Sequence, residues 1–93
     1  MRKIERTTAF KKDFKREKKG QHKKTLEGQL TGVVTALAEG RPLPVANKDH
    51  SLAGDWAGFR DCHIKPDLVL IYGLPDADTL QLVRLGSHSE LFG

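Results

Sequence analysis

Three of the four histidines, His50, His63 and His88, lie in the second half of the chain, together with Asp67 and Arg84. Histidine titrates near neutral pH, so it can accept or donate a proton during a reaction. A carboxylate can orient a histidine, and the planar guanidinium of arginine can bind two phosphate oxygens at once. These residue types suit metal-free cleavage of RNA, in which the 2′-hydroxyl attacks the phosphodiester, a base and an acid move protons, and a cation stabilises the phosphorane.

Other reaction types find less support in the residues. The histidines could suggest zinc, but the sequence has no His-x-x-x-His or Glu-x-x-His pair, so we predict no metal and no cofactor. The single cysteine, Cys62, forms neither an internal disulfide nor a Cys-x-x-Cys motif, and we expect it to fill the core. A serine nucleophile elbow and a glycine-rich phosphate loop are both absent from the sequence.

The size and composition of the chain limit its class. Its 93 residues suffice for one domain, residues 1–93, with a single thin core. Hydrophobic residues make up 38% and charged residues 30%, which is ordinary for a globular protein. No apolar run approaches the length of a membrane span, and the N-terminus lacks the apolar stretch of a signal peptide. We therefore expect a cytoplasmic protein without membrane contacts.

Basic residues are concentrated at one end of the chain. Residues 1–24 carry eleven Lys and Arg against three Asp and Glu, whereas residues 25–93 carry five against nine. Six of the basic residues fall on the first predicted helix: Lys11, Lys12, Lys15, Arg16, Lys18 and Lys19. Such a surface predicts a polyanionic partner such as RNA. The alternative is that this helix face is simply solvated.

The N-terminal half predicts a short strand and two helices. The strand covers residues 2–7, and Thr7 or Thr8 can cap a helix that runs to Gly20. Apolar residues then recur at helical spacing over residues 22–39, which predicts the second helix.

The C-terminal half predicts a long loop followed by three strands. The loop covers residues 41–58, and the strands cover residues 59–65, 68–73 and 79–85. The turns between the strands are too short for crossovers, so the strands should form an antiparallel meander. The order β-α-α-β-β-β predicts an α+β fold in which two N-terminal helices pack on one face of a small, mainly antiparallel sheet.

Alternation along the first of these strands separates two kinds of residue. Cys62 and Ile64 share one side and should face the helices, while Asp61 and His63 should point to the open face. From the pattern alone, the pair of Asp61 and His63 is more typical of solvated surface residues than of a catalytic site. Arg60 alternates in step with Cys62 and Ile64, although it is charged, so the pattern does not assign it to a face.

Two further features break the expected pattern. Arg84 continues the apolar stripe of Leu80 and Leu82, and a cation buried there would need a partner, unless it reaches water at the strand end. Gly28 and Gly32 lie inside the second helix, where each costs about 1 kcal/mol relative to alanine. We expect close packing against a neighbouring element to account for them.

The chain resembles the YafQ-type toxins of the RelE/ParE superfamily, which belong to bacterial type II toxin–antitoxin pairs. The resemblance runs through residues 48–74, KDHSLAGDWAGFRDCHIKPDLVLIYGL, and through residues 84–93, RLGSHSELFG. It implies a fold like that of the microbial RNases and cleavage of mRNA in the ribosomal A site.

The resemblance also implies a set of site residues. The positions that carry the chemistry of the family are His50, His63, Asp67, Arg84, His88 and Phe92. It implies that the histidines transfer protons and that Arg84 contacts the scissile phosphate. Asp67 would act as a general acid or base or would orient a histidine. Phe92 would bind a nucleobase. Trp56 and Asp61 would shape the site. Neither the residues nor the resemblance decides which histidine is the base and which the acid.

Partners follow from the same resemblance. It implies docking of the basic helix on ribosomal RNA, access to mRNA in the A site, and a preference for the lysine codon AAA. It also implies a cognate antitoxin that carries a ribbon-helix-helix part. The toxin–antitoxin pair would contact operator DNA only through that part. Two alternatives stay open, a ParE-like inhibitor of gyrase and a basic RNA-binding module without catalysis.

Overall fold

Within residues 1–20 and 23–93, which the computed structural model describes, five strands form one sheet that runs through the molecule. The helices and strands, in chain order, are β1 (Lys3–Arg6), α1 (Thr8–Lys18), α2 (Leu26–Ala38), β2 (His50–Ser51), β3 (Arg60–Lys65), β4 (Leu68–Asp76), β5 (Thr79–Gly86) and α3 (His88–Phe92). The predicted α+β class is confirmed. The predicted order lacked β2 and α3.

The strands lie in the order β1-β5-β4-β3-β2. Strand β1 pairs in parallel with β5, and every other pair in this sheet is antiparallel. The predicted meander is confirmed as β3, β4 and β5. The loop predicted over residues 41–58 contains β2 as well as two 3₁₀ turns, Val45–Asn47 and Gly54–Trp56. A strand of two residues shows no alternation, so the pattern did not reveal it.

The two long helices begin and end near the expected residues. The hydroxyl of Thr7 accepts a backbone N–H of the first turn of α1 at 2.9 Å, as an N-cap should. Helix α1 ends at Lys18, shortly before the predicted Gly20. The predicted start of the second helix at His22 lies outside the described residues, and the described helix begins at Leu26. No helix in residues 1–20 and 23–93 is long and apolar enough to cross a membrane.

The main core lies between the sheet and the helices α1 and α2. Its buried members are Phe10, Leu26, Leu30, Val33, Leu37, Ala38, Cys62, Ile64, Leu68, Leu70, Tyr72, Leu80, Leu82 and Leu85. Cys62 and Ile64 therefore face the helices, as predicted. Burial raises the pKa of the Cys62 thiol to about 12, so this cysteine is an apolar filler.

The two glycines inside α2 have no packing role. A methyl group at Gly28 or Gly32 would meet no neighbouring atom within 4 Å. The prediction of close packing was therefore wrong, and the structure does not explain either glycine.

Helix α1 completes an edge that β1 leaves open. Strand β1 pairs only with the first half of β5, so the backbone of β5 beyond Leu82 has no strand partner on that side. Side chains supply its hydrogen bonds instead. Thr7 Oγ1 donates to the carbonyl of Val83 at 2.7 Å, and the N–H of Leu85 donates to Asp13 Oδ2 at 3.0 Å. Asp13 is buried for this reason, although it is charged.

A β-bulge decides where Arg84 points. Leu82 lies opposite Tyr72 and Arg84 lies opposite Ile71, so one extra residue, Val83, shifts the register between the two pairs. Because residues opposite each other share a face, Arg84 lies with Ile71 on the open face, at the edge where Asp13 of α1 contacts β5. Strict alternation would continue the stripe of Leu80 and Leu82 at Arg84, and the bulge takes Arg84 out of that stripe.

The open face of the sheet is partly covered. Buried apolar residues of β4 and α3 form a second, smaller cluster there with side chains of the loop and of β5: Leu52, Trp56, Phe59, Val69, Ile71, Val83 and Leu91. Asp61 lies opposite Ile71 on this face and is only 1% exposed, so the expectation of a solvated pair with His63 was wrong. Arg60, which the pattern did not place, lies opposite Tyr72 on the helix face.

Candidate active site

The predicted site residues lie in rows that cross the open face. One row runs from His50 on β2 through Asp61 on β3 and Ile71 on β4 to Arg84 on β5. Three inter-strand spacings, about 14–15 Å, separate the backbones at its two ends. The next row contains His63, opposite Val69. The sheet therefore brings a histidine, a carboxylate and a cation into one line and places a second histidine beside it.

Asp61 and Lys48 set the orientation of His50. The Nδ1 atom of His50 lies 2.8 Å from the carbonyl oxygen of Lys48 and 3.1 Å from Asp61 Oδ1. Both neighbours are acceptors, so Nδ1 carries the proton. It donates this proton to the Lys48 carbonyl, while Asp61 acts on the ring through its charge. The Nε2 atom remains for a further partner. The imidazole is 54% exposed whereas the carboxylate is 2% exposed, so a buried anion holds an accessible histidine.

Asp61 is in an unfavourable place for an anion. Burial raises the pKa of its carboxyl, and the nearby histidines His50, His63 and His88 only partly counter this effect. Its Oδ1 atom is buried and accepts no well-aligned hydrogen bond from any described residue. A carboxylate kept in such a place at the cost of stability is typical of a functional site.

Asp61→Asn is expected to raise the melting temperature at neutral pH. The raised pKa means that ionisation of Asp61 costs native-state stability as the pH rises from the unfolded pKa through the folded pKa. The advantage of the variant should therefore be absent near about pH 3 and fully present above the folded pKa. Circular dichroism melts across this pH range measure it.

The matched control for this experiment is Asp55→Asn, which changes an exposed aspartate in the preceding 3₁₀ turn. Its melting temperature should not diverge from that of the parent chain with rising pH. A lower melting temperature for Asp61→Asn than for the parent at pH 7 would show that the buried anion stabilises the fold, contrary to this account.

Four rings form a continuous group on the same face. The centroids of His63 and His88 are 5.2 Å apart, and those of His88 and Phe92 are 5.7 Å apart. Trp56 meets Phe92 edge to face at 6.4 Å. Phe92 is 39% exposed, so the group has an accessible aromatic surface on which an unpaired base can stack.

A capping box positions His88 and Phe92. Ser87 Oγ accepts the N–H of Glu90 at 3.1 Å, and Glu90 Oε1 accepts the N–H of Ser87 at 2.8 Å. This pair starts α3 at His88, and Phe92 follows four residues later on the same side of the helix. The Ser-x-x-Glu spacing was visible in the sequence and could have predicted this helix.

Arg84 has the partner that a half-buried cation requires. Its Nε atom lies 2.6 Å from Asp13 Oδ2 and its Nη2 atom 3.2 Å from Asp13 Oδ1. The hydrogen bond to Asp13 raises the pKa of Arg84. Asp13 was not among the predicted site residues, although this acid follows Phe10 and precedes Phe14 on the apolar side of a basic helix. An acid at such a position signals a buried ion pair.

The loop before His50 is anchored by residues that were not predicted as part of the site. Tyr72 donates its hydroxyl proton to Asp49 Oδ1 at 2.5 Å, and Arg60 Nε lies 3.3 Å from the same oxygen. Asn47 Nδ2 donates to the carbonyl of His63 at 2.7 Å. These bonds join Asn47 and Asp49 to β3 and β4, so the segment directly before His50 is fixed to the sheet.

The remaining predicted residues lie in the turn between β3 and β4 and on α1. Asp67 is exposed in the turn between β3 and β4, at the end of the hairpin that carries His63. Arg16 differs from the other basic residues of α1, because it binds Asp13, Glu17 and Glu90. The lysines of α1 are all exposed: Lys11, Lys12, Lys15 and Lys18, with Lys19 directly after them.

Comparison with known proteins extends these observations. The model of the family described as "Bacterial toxin of type II toxin-antitoxin system, YafQ" matches residues 2–93. The mRNA interferase toxin YafQ of Escherichia coli K12 is 42% identical over 93 residues, which cover 99% of this chain and 97% of that protein. In the crystal structure of the E. coli DinJ–YafQ complex, the matching chain is 36% identical, with a TM-score of 0.82 and full coverage of both chains. A metal-bound toxin from Helicobacter pylori is 45% identical with a TM-score of 0.82, covering 99% of this chain and 100% of that one.

Proposed function

The chain belongs to the YafQ family of bacterial type II toxins, and on that premise we propose that it is a ribosome-dependent mRNA interferase. Such an enzyme arrests translation by cutting mRNA in the A site of the ribosome. The observation that carries the proposal is the arrangement of His50, Asp61 and Arg84 in one row, beside the stacked rings of His63 and His88.

We assign the role of general base to His50. Its Nδ1–H is held by the carbonyl of Lys48, with the Asp61 carboxylate 3.1 Å away, so Nε2 is the atom that accepts the proton of the attacking 2′-hydroxyl. The carboxylate of Asp61 then stabilises the imidazolium that forms, as a buried acid beside a catalytic histidine does in other enzymes.

We assign the role of general acid to His88. In-line attack places the entering and leaving oxygens on opposite sides of phosphorus, so the base and the acid must flank the phosphate. His50 reaches the face from β2, and His88 reaches it from α3, beside His63 of β3. His88 is exposed, whereas His63 is half-buried behind it and is placed to exchange a proton with it. Asp67 serves as a further acid–base group or as a histidine orienter.

Arg84 binds the phosphate, and aromatic residues bind the base. Asp13 occupies Nε and one N–H of Nη2, which leaves the other guanidinium N–H groups of Arg84 for phosphate oxygens. Phe92 and Trp56 offer ring surfaces for a base of the mRNA. The products are a 2′,3′-cyclic phosphate and a 5′-hydroxyl.

Partners follow from the charge of α1 and from the relatives. The exposed lysines of α1 and its C-terminal end are suited to the phosphates of ribosomal RNA, with an affinity that falls as salt rises. Since E. coli YafQ is found in a complex with DinJ, we expect a cognate antitoxin here. We further expect it to carry a ribbon-helix-helix part that alone contacts operator DNA. The toxin would act in the cytoplasm, with a preference for AAA codons.

The proposed reaction needs no metal. The H. pylori toxin is metal-bound, but no three or more His, Cys, Asp or Glu side chains are grouped to hold a metal ion in the described part of this chain. We route no step through a metal, because the histidines and Arg84 supply the proton transfers and the positive charge that the reaction needs.

The proposal predicts cleavage of translated mRNA only. Purified protein, treated with a chelator and then desalted, is added to ribosomes that translate a defined mRNA containing in-frame AAA codons. We expect cuts within A-site codons and 2′,3′-cyclic phosphate ends, because the substrate's own 2′-hydroxyl is the nucleophile. Mapping the 5′ ends and testing the 3′ ends with phosphatase provide the measurement.

The same mRNA without ribosomes is the control, and it should stay intact. Equal cleavage of free and translated mRNA would contradict ribosome dependence, and activity that returns only with added metal would contradict the chemistry. Intact translation together with loss of gyrase supercoiling would favour the ParE-like alternative. Salt-sensitive RNA binding that survives loss of every histidine, without any cuts, would favour the non-catalytic one.

A further inference from the structure

We propose that Asp13 of α1 is a positioning residue for Arg84, and that it links the basic helix to the phosphate-binding group of the site. This inference rests on the proposed function, because it assigns Arg84 to the scissile phosphate. Asp13 does not itself touch substrate. It acts by fixing the guanidinium of Arg84 before RNA arrives.

The contacts of Asp13 support an orienting role. Its two carboxylate oxygens lie within hydrogen-bond distance of four N–H groups: Arg84 Nε at 2.6 Å, Arg84 Nη2 at 3.2 Å, Arg16 Nη1 at 3.0 Å and the Leu85 amide at 3.0 Å. A carboxylate offers about four acceptor positions, so all of them are used. The carboxylate is thereby fixed to the helix and to the strand together.

The pairing with Arg84 exceeds what the fold requires. The open edge of β5 needs one acceptor for the Leu85 amide, and Asp13 Oδ2 provides it. The two-point bond to Arg84 is additional, and it reaches a residue that the bulge has turned to the open face. Arginine has many rotamers, and a guanidinium held in place loses less freedom when it binds phosphate.

The electrostatics agree with this geometry. Burial acts to raise the pKa of Asp13, but the bonds from Arg84 and Leu85 outweigh it and lower the pKa. Both partners thus stay charged at neutral pH. Arg16 extends the network, since its Nη2 donates to the carbonyl of Leu85 at 3.0 Å and its Nε lies 3.4 Å from Glu90 of α3. Helix α1 is therefore tied to both Arg84 and the helix of His88.

A double-mutant cycle tests the inference. Asp13→Asn, Arg84→Ala and the double variant are compared in single-turnover cleavage of mRNA on ribosomes. Asp13→Asn should lower the maximal rate by about 10- to 100-fold, the usual effect of a misplaced catalytic group, with less than a twofold change in the half-saturating concentration. In the Arg84→Ala background the same change should lower the rate by less than about twofold, because its target is gone.

The contrary outcomes are clear. If the two losses multiply, Asp13 acts on the fold alone and the inference is wrong. If Asp13→Asn is faster than the parent chain, Asp13 restrains Arg84 rather than preparing it, and the inference is also wrong. The control Glu17→Gln removes an acid of the same helix that bonds to Arg16, whereas Arg84 bonds to Asp13. It should change the rate by less than about twofold. Melts by circular dichroism ensure that every variant is folded.

Two additions keep the test decisive. If Asp13→Asn does not fold, the cycle uses Asp13→Glu, which keeps the charge but shifts the carboxylate, and multiplying losses there would again overturn the inference. If the parent chain does not cut mRNA, the proposed function fails, but the positioning is still measured by ¹⁵N NMR. The Arg84 Nε–H signal should be protected from exchange in the parent chain and not in the Asp13 variant. Equal protection in both would overturn the inference.

Discussion

Replacing His88 with alanine is expected to lower the rate of mRNA cleavage by about 10²- to 10⁴-fold, the usual contribution of a general acid. The substitution should also relieve growth arrest when the toxin is expressed without its antitoxin. His88 is exposed at the first position of α3, and its ring contacts His63 and Phe92 rather than the main core. The fold should therefore survive the change.

The pH profile separates the roles of two histidines. A general acid must be protonated, so its loss removes the fall in rate at high pH, whereas loss of a base removes the fall at low pH. We expect His88→Ala to flatten the alkaline limb and His50→Ala the acidic limb. The neighbouring exposed Ser89→Ala serves as the control and should leave both limbs in place. Full toxicity of His88→Ala, with the variant folded, would contradict its assignment.

Replacing Arg84 with alanine is expected to lower the cleavage rate by about 10²- to 10³-fold, the usual loss when one group that stabilises transition-state charge is removed. Arg84→Lys should not restore the rate. A lysine cannot bind Asp13 at two points and offer further N–H groups in the same plane to phosphate. Single-turnover cleavage on programmed ribosomes measures both variants.

The matched control for Arg84 is Arg41→Ala. Arg41 is exposed beyond α2, where its Nε pairs with Glu39 at 2.6 Å, away from the open face. The substitution Arg41→Ala removes the same kind of side chain and the same charge as Arg84→Ala, so it corrects for a general loss of affinity for RNA. Equal effects of the two substitutions, or full activity with Arg84→Lys, would show that only the charge of Arg84 matters. Thermal melts are required for Arg84→Ala, because it leaves the buried Asp13 with fewer partners.

Much of the fold could be predicted, because local patterns suffice for long elements. Helical spacing and the Thr7 cap indicated α1, and the short turns between strands indicated the meander. The short elements were missed for different reasons. Strand β2 has two residues and exists only through its pairing with β3. Helix α3 has five residues, but its capping box at Ser87 and Glu90 was present in the sequence and was overlooked.

The candidate site was also predicted only in part. The chemistry of the histidines and of Arg84 was suggested by residue type, and their membership in one site came from the resemblance. Burial of Asp61 did not follow from alternation, since alternation assigns a face but does not show what covers it. Asp13 is 71 positions from Arg84, and no local pattern joins residues so far apart.

The sequence by itself determined the class of the fold, the basic helix and the family, because these depend on periodicity, composition and a run of matching residues. Only the tertiary structure decided how the site is built. The bulge at Val83 turns Arg84 to the open face, and the unpaired edge of β5 brings Asp13 to it. The pairing of His50 with Asp61 needs β2, which exists only in the folded sheet. Each of these contacts joins segments distant in sequence, so it forms only when the chain is folded.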